Sequence, residues 1–268
     1  MWMKDNRSAL RSLLASLAVQ SRIVHAILMR EIITRYGRHN IGFAWMFAEP
    51  MIFTVGIVAI WSYSHELAAG HHIGIASFAI TGYSTILNWR NTIGRCVDSV
   101  EPNKTLLFHR NVRVIDVFTA RVLLELGGVT LSMILIFSIF IALDWIDYPV
   151  DILRMLEGWG LLCWYSTAMA FLIGGLSEYS ELVEKIWHPL AYFQLPLSGA
   201  FLMVSWLPAK FRGLMLIFPV PNAVELFRKG YYGGAVKAIY DVPYVVAVCS
   251  CLTLLSLFVV RNVSHRVE

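Results

Sequence analysis

Six apolar runs of roughly 20 residues or more occupy most of this 268-residue chain. A helix of that length crosses a hydrocarbon core of about 30 Å, because each residue adds about 1.5 Å of rise. Backbone polar groups inside a bilayer find no water, so such runs are confined to helices that satisfy their own hydrogen bonds. Composition points the same way. Hydrophobic residues make up 57% of the chain and charged residues 15%, against the roughly 25% charge of an ordinary soluble domain. The expected fold class is an all-α integral membrane protein with six transmembrane helices.

The spans are placed at 43–63, 73–93, 117–143, 156–176, 186–204 and 244–260. With the N-terminus inside, segments 1–40, 94–116, 177–185 and 261–268 hold 14 Lys and Arg. The outer segments 64–72, 144–155 and 205–240 hold 6. That asymmetry puts both termini in the cytoplasm. It also accounts for the net charge of +4, so no nucleic-acid partner is expected. Residues 1–40 form a cytoplasmic N-terminal segment and 41–268 a single transmembrane domain. Lys4, Arg7 and Arg11 interrupt the first apolar pieces, so no secretory signal is expected. Cys96, Cys163, Cys249 and Cys251 lack metal-ligand spacing and read as reduced, packed residues.

Residues 22–38 carry a different pattern. At 100° per residue, Arg30, Glu31, Thr34, Arg35 and Arg38 share one helical face, and Leu28, Met29, Ile32, Ile33 and Tyr36 the opposite one. Such an amphipathic helix lies in the membrane interface, as an anchor or as a contact for a partner, and Gly37 closes it. Segment 205–240 is broken by Pro208, Pro219 and Pro221 into apolar pieces too short to span. Re-entrant or interfacial half-helices before the last span fit it; a loop on the outer surface is the alternative. Segment 95–116 reads as a turn leading into a short helix, suited to docking in a partner's groove or to linking two spans.

No G-x-x-x-x-G-K-[ST] phosphate loop is present, so ATP hydrolysis by this chain alone is not expected. There is no H-E-x-x-H and no Asp-x-Asp. His65, His71 and His72 cluster in the short outer loop, as solvated side chains or a metal site. Polar residues within spans invite functional hypotheses. These are Glu49 near the inner end of the first span, and Arg121 and Glu125 in the third. Arg121 and Glu125 stand four apart on one helical face, where each partly neutralises the other, as a structural pair or a transport site. Trp61, Tyr63, Trp145, Tyr148, Trp159 and Trp206 fall near outer ends, where aromatic belts sit. Tyr83, Trp89, Trp164, Tyr192 and Phe193 lie deeper and are candidates to line a sugar path.

Three blocks of residues carry a resemblance. The first is Met29-Arg-Glu-Ile-Ile-Thr-Arg-Tyr-Gly with Ile41-Gly-Phe-Ala-Trp and Ala48-Glu-Pro. The second is Trp89-Arg-Asn-Thr-Ile with Asn103-Lys-Thr-Leu-Leu and Ile115-Asp-Val-Phe-Thr-Ala-Arg. The third is Pro221-Asn-Ala-Val-Glu-Leu-Phe-Arg-Lys-Gly-Tyr-Tyr. Across nearly the whole chain they resemble the transmembrane subunit of type-2 ABC exporters, and more closely the capsular-polysaccharide export permeases of Gram-negative bacteria. Asn222 stands where that family often has histidine.

The resemblance implies a homodimer in the bacterial inner membrane that binds two copies of a separate ABC ATPase subunit. ATP and Mg2+ belong to that partner, leaving no cofactor, metal or catalytic residue on this chain. It implies that Asn103, Lys104, Thr105, Leu106 and Leu107 form the helix that couples to the ATPase. Residues 205–229 would form short gate helices at the outer face, with Glu225 and Arg228 in that gate. The implied cargo is a lipid-linked, often acidic polysaccharide, passed to a periplasmic co-polymerase-type adaptor and an outer-membrane channel. Arg30, Arg35 and Arg38 are candidates to attract its anionic headgroup, or the headgroups of phospholipids. Rival expectations are an O-antigen or teichoic-acid permease of the same superfamily, and a membrane-embedded glycosyltransferase or polymerase using Asp144, Asp147 and Asp151. A secondary transporter is disfavoured by the lack of an internal repeat.

Overall fold

The computed structural model describes residues 2–36, 48, 51–52, 54–60, 74–107 and 112–267, which form helices and turns without a strand. In chain order these are α1 (Trp2–Tyr36), α2 (Ile75–Cys96), the single turn α3 (Lys104–Leu107), α4 (Val114–Ala142), α5 (Ile152–Ser177), α6 (Glu181–Gln194), α7 (Ala209–Leu216), α8 (Pro219–Tyr232) and α9 (Val242–Val267). Of the expected first span, residues 48, 51–52 and 54–60 are helical and the others lie outside the described residues.

Local chemistry sets several helix starts. Asp116 closes the first turn of α4 by accepting from Arg113 N at 2.8 Å. Asp151 caps α5 by accepting from Arg154 N at 3.0 Å, and Ser180 caps α6 by accepting from Leu182 N at 3.2 Å. Pro219 opens α8 at a position where the missing N–H costs nothing.

Among the described residues, α4, α5 and α9 are long and apolar enough to cross a bilayer. α2 has the length, with 22 residues, but it carries Ser77, Thr81, Ser84, Thr85, Asn88 and Thr92 in buried positions. Its neighbours shield them. α2 packs against α4, α5 and α8, and Ile80, Trp89, Ile93 and Cys96 are fully enclosed. Around it Phe118 tilts on Phe171 at 5.8 Å and Trp159 on Phe227 at 5.6 Å.

The expected fifth span, 186–204, is not one helix. α6 stops at Gln194, Pro196 starts a 3-10 turn, and Gly199 takes φ +77°. Proline supplies no donor to the helix ladder, and a left-handed residue ends a right-handed helix. The run reads as continuous only because Leu195, Leu197, Ala200, Phe201, Leu202 and Met203 keep it apolar.

The N-terminal helix is longer than expected and its faces are assigned differently. α1 has 35 residues. Its buried side is Ile23, Val24, Ile27 and Leu28, packed on Val117 and Ala120 of α4. Polar groups close this seam at both ends: Gln20 donates to Asp116, and Glu31, only 8% exposed, meets Arg121. Glu31 therefore leaves the expected polar face for the interior, while Met29 and Ile33 of the expected apolar face stay exposed. Docking on α4, rather than the helix's own moment, decides which side is inside. The four cysteines are free; Cys96 and Cys249 are buried as expected, and Cys251 is exposed.

Two regions end up at opposite ends of α2, about 33 Å apart for a helix of this length. Cys96 leads to α3. At the other end Ser77, Thr81 and Gly82 touch α8 and the residues after α6.

Candidate functional sites at the two ends of the bundle

At the α3 end the chain turns through Asp98, at φ +48°, into a 3-10 turn (Glu101–Asn103) and then α3. Asn103 is buried and uses both halves of its amide. Nδ2 donates to Ser99 O at 2.9 Å, and Oδ1 accepts from Arg30 Nη1 of α1 at 2.9 Å. Val100 N donates to Glu178 Oε1 and Asp98 N to Ser177 Oγ, each at 3.2 Å, tying the turn to the end of α5. Leu107 anchors α3 against both the main core and the α1–α4 seam, with Leu106 half-buried beside it. Lys104, paired with Glu101, and Thr105 remain exposed. A cleft of about 410 Å3 opens alongside, lined in part by Glu101, Lys104, Leu107, Glu178 and Arg266. Arg266, near the end of α9, lies over the Tyr179 ring at 4.4 Å. Burial pushes the Glu178 carboxyl above its ordinary value near 4.5.

Ion pairs bind three helices just inward of this turn. Arg121 Nε lies 3.2 Å from Glu31 Oε1 of α1, and Arg95 Nε of α2 lies 3.7 Å from Glu125 Oε1. Arg121 Nη1 also donates to Arg95 O at 2.9 Å. Arg121 and Glu125, expected to neutralise each other along one helix, thus pair across helices, because α1 and α2 each bring an opposite charge to that face of α4. Glu49, Arg38 and the side chain of Arg35 lie outside the described residues.

At the α8 end, Glu225 and Arg228 are fully buried. Glu225 Oε1 accepts from Val204 N at 2.8 Å and Oε2 from Ile239 N at 3.0 Å. Arg228 donates to Gly199 O at 2.6 Å and Ala200 O at 2.5 Å, and its Nε reaches Thr81 Oγ1 of α2 at 3.3 Å. Its guanidinium carbon stands 3.9 Å from the Phe78 ring centroid. Together they clamp the broken stretch after α6, and the stretch before α9, onto α8. Charged partners suit this task, since backbone groups of an irregular segment buried in the bundle have no helix ladder and need strong, directed hydrogen bonds. Asn222 completes it by donating to Leu216 O and Phe218 O, both at 2.9 Å, and accepting from Asp241 N at 2.9 Å. A carboxamide fits three backbone partners of both polarities.

The deeper aromatic residues do not form one set. Trp89 is enclosed in the core and lines no open surface of the chain. Trp164 donates through Nε1 to Thr253 Oγ1 at 2.9 Å, joining α5 to α9. Tyr83 is half-buried beside Ile57, Gly82 and Phe201. Tyr192 and Phe193 are exposed on α6. Sequence reasoning passed over Glu178 and gave Arg90 no role. Glu178 follows directly on a span, which was the available signal.

The sequence profile of ABC-2 type transporters matches residues 22–232, from within α1 to the end of α8. The chain belongs to the ABC-2 type transporter family. This ABC-2 transporter chain is 41% identical over 253 residues to the capsule polysaccharide export inner-membrane protein BexB of Haemophilus influenzae, covering 94% of the chain and 95% of the relative. It is 42% identical over 256 residues to the capsule polysaccharide export inner-membrane protein CtrC of Neisseria meningitidis serogroup B, with 94% and 95% covered. The polysialic acid transport protein KpsM of Escherichia coli is 26% identical over 246 residues, covering 90% of the chain and 92% of that protein.

Proposed function

We propose that this chain is the permease subunit of an ATP-driven exporter that carries lipid-linked capsular polysaccharide across the bacterial inner membrane. The observation that carries this reading is the similarity to capsule export inner-membrane proteins, near 40% identity over 94% of the chain. Two copies pair in the membrane, each with a separate ATPase subunit that holds ATP and Mg2+. The chain crosses six times with both termini in the cytoplasm, the fifth crossing being α6 with the turns that follow it. α1 lies along the inner interface with Met29 and Ile33 toward lipid, and Arg30 beside Asn103 is available to anionic headgroups. α3 is the coupling helix: Lys104 and Thr105 meet the ATPase while Leu107 and Asn103 pass its movement into the bundle. The α7–α8 region, braced by Glu225 and Arg228, forms the outer gate. The polymer leaves there toward a periplasmic adaptor and an outer-membrane channel.

Deleting the gene in its host, with the rest of the pathway intact, is the test. Finished polymer trapped in the cytoplasm is the expected result. Polymer absent from every compartment would overturn the reading in favour of a role in synthesis.

A further inference from the structure

The arginines around α2 are matched with partners, with one exception among the described residues. Arg95 and Arg121 face Glu125 and Glu31, and Arg228 is surrounded by carbonyls. Arg90 has Tyr192 alone. Its Nη2 donates to Tyr192 Oη at 2.9 Å, and its guanidinium carbon lies 4.7 Å from the centre of the same ring. No carboxylate among the described residues lies within 4.0 Å of it. A guanidinium has five N–H donors, so most of them point to no protein group.

Its depth makes this unusual. Arg90 stands six residues before the end of α2, about 9 Å inward along the helix. Side chains lean toward the N-terminus of their helix, which carries this one away from the α3 end and toward the middle of the bundle. A lone arginine at such depth normally reaches back to water. Tyr192 instead holds it on the α6 side, where Tyr192 and Phe193 are 58% and 74% exposed. The result is an open patch with one cation beside an exposed aromatic ring and, among the described residues, no carboxylate within 4.0 Å.

We propose that Arg90 and Tyr192 form an anion-binding subsite for the phosphate or carboxylate next to the lipid anchor of the exported glycolipid. The inference rests on the export reading above. The planar guanidinium fork matches a phosphate or carboxylate in two-point contact, and the exposed part of the Tyr192 ring offers an apolar face to the adjoining sugar or lipid. Phospholipid phosphates stay at the membrane surface. A headgroup in transit must pass deeper, and the inward position of Arg90 favours the cargo.

The full chain is placed in a host strain lacking its capsule permease, and surface polymer is measured against membrane content for wild type, Arg90→Gln, Arg90→Lys and Tyr192→Phe. Failure of wild type to restore surface polymer would overturn the export reading itself. With wild type active, Arg90→Gln is expected to lower surface polymer at least tenfold at equal membrane content, with Arg90→Lys retaining part of it. Normal export by Arg90→Gln would overturn the subsite and leave the export reading standing. If Arg90→Gln fails to insert, Arg90→Lys and Tyr192→Phe decide, and wild-type export by both would overturn the subsite. To separate the two sources of phosphate, the purified chain in phosphatidylcholine nanodiscs is titrated with lysophosphatidylglycerol. Binding lost in Arg90→Gln while export persists would assign the site to phospholipid and overturn the proposal.

Discussion

Glu225 and Arg228 stand three residues apart on α8, yet the groups they hold lie between 14 and 150 positions away in the chain. Sequence spacing marks the pair as noteworthy but contains nothing about partners that distant, which are mostly backbone atoms of irregular segments. Replacing Glu225 by Ala leaves the N–H groups of Val204 and Ile239 without their acceptor and removes a carboxylate that favours the buried Arg228 charge. Breaking a buried charged network of this kind costs about 3–5 kcal/mol. Thermal unfolding in detergent should therefore show a clearly lowered Tm for Glu225→Ala, with Glu225→Gln between it and wild type. Glu178 offers a pH test at the same scale. Its folded carboxyl is raised above 4.5 by burial, so its contribution to stability is fully present below that value and is lost as pH rises through the raised one. Gln keeps an acceptor for Val100 N and never ionises. Relative to wild type, Glu178→Gln is expected to gain Tm between pH 5 and pH 8, and a difference independent of pH would refute the assignment.

The packing of elements turns on a few glycines. A Cβ at Gly158 would collide with the backbone of Phe227, and one at Gly230 with the backbone of Met155, so α5 and α8 touch main chain to main chain. Gly230→Val is expected to abolish insertion or folding, judged by yield of monodisperse protein. Gly127 on α4 has open space where a Cβ would go. Ala there should leave folding intact and raise stability by up to about 1 kcal/mol. The loop before α5 supplies a further check, on the enzyme alternative. Asp151 spends its carboxylate on the α5 cap, and Asp147 gives its backbone carbonyl to Tyr231 Oη at 2.9 Å. Asn caps a helix about as well as Asp. Changing Asp144, Asp147 and Asp151 together to Asn should leave surface polymer near the wild-type level, whereas catalytic carboxylates there would make the change abolish it. The long elements were legible because α4, α5 and α9 each contain a strongly apolar stretch long enough to cross a bilayer. α6 was not, because a break is invisible where the residues on both sides of it are apolar. The buried side of α1 was missed for a related reason: its seam mixes Gln20 and Glu31 with Ile27, and only the partner helix makes that mixture an interior.

At the level of the whole molecule, α2 joins the α3 turn to the Glu225–Arg228 clamp along a helix of about 33 Å. Under the export reading, a push on α3 travels along this enclosed helix. Charge reversal at Lys104, or Leu106→Trp, is expected to reduce surface polymer while membrane content stays at wild-type level. Normal export by both variants would remove α3 from the coupling role.

The contact between α5 and α8 constrains how an opening can form. Besides the glycines, Val150 N and Asp151 N donate to Tyr231 O and Gly230 O at 3.1 and 2.8 Å, and α8 is in turn pinned to the stretch after α6. A half-helix fastened on so many sides cannot swing away from its own subunit without breaking these backbone bonds. If polymer passes between two copies, each copy behaves as a stiff door leaf. The doorway then widens by the two leaves parting along their shared edge, and the hinge lies between the subunits rather than within either one.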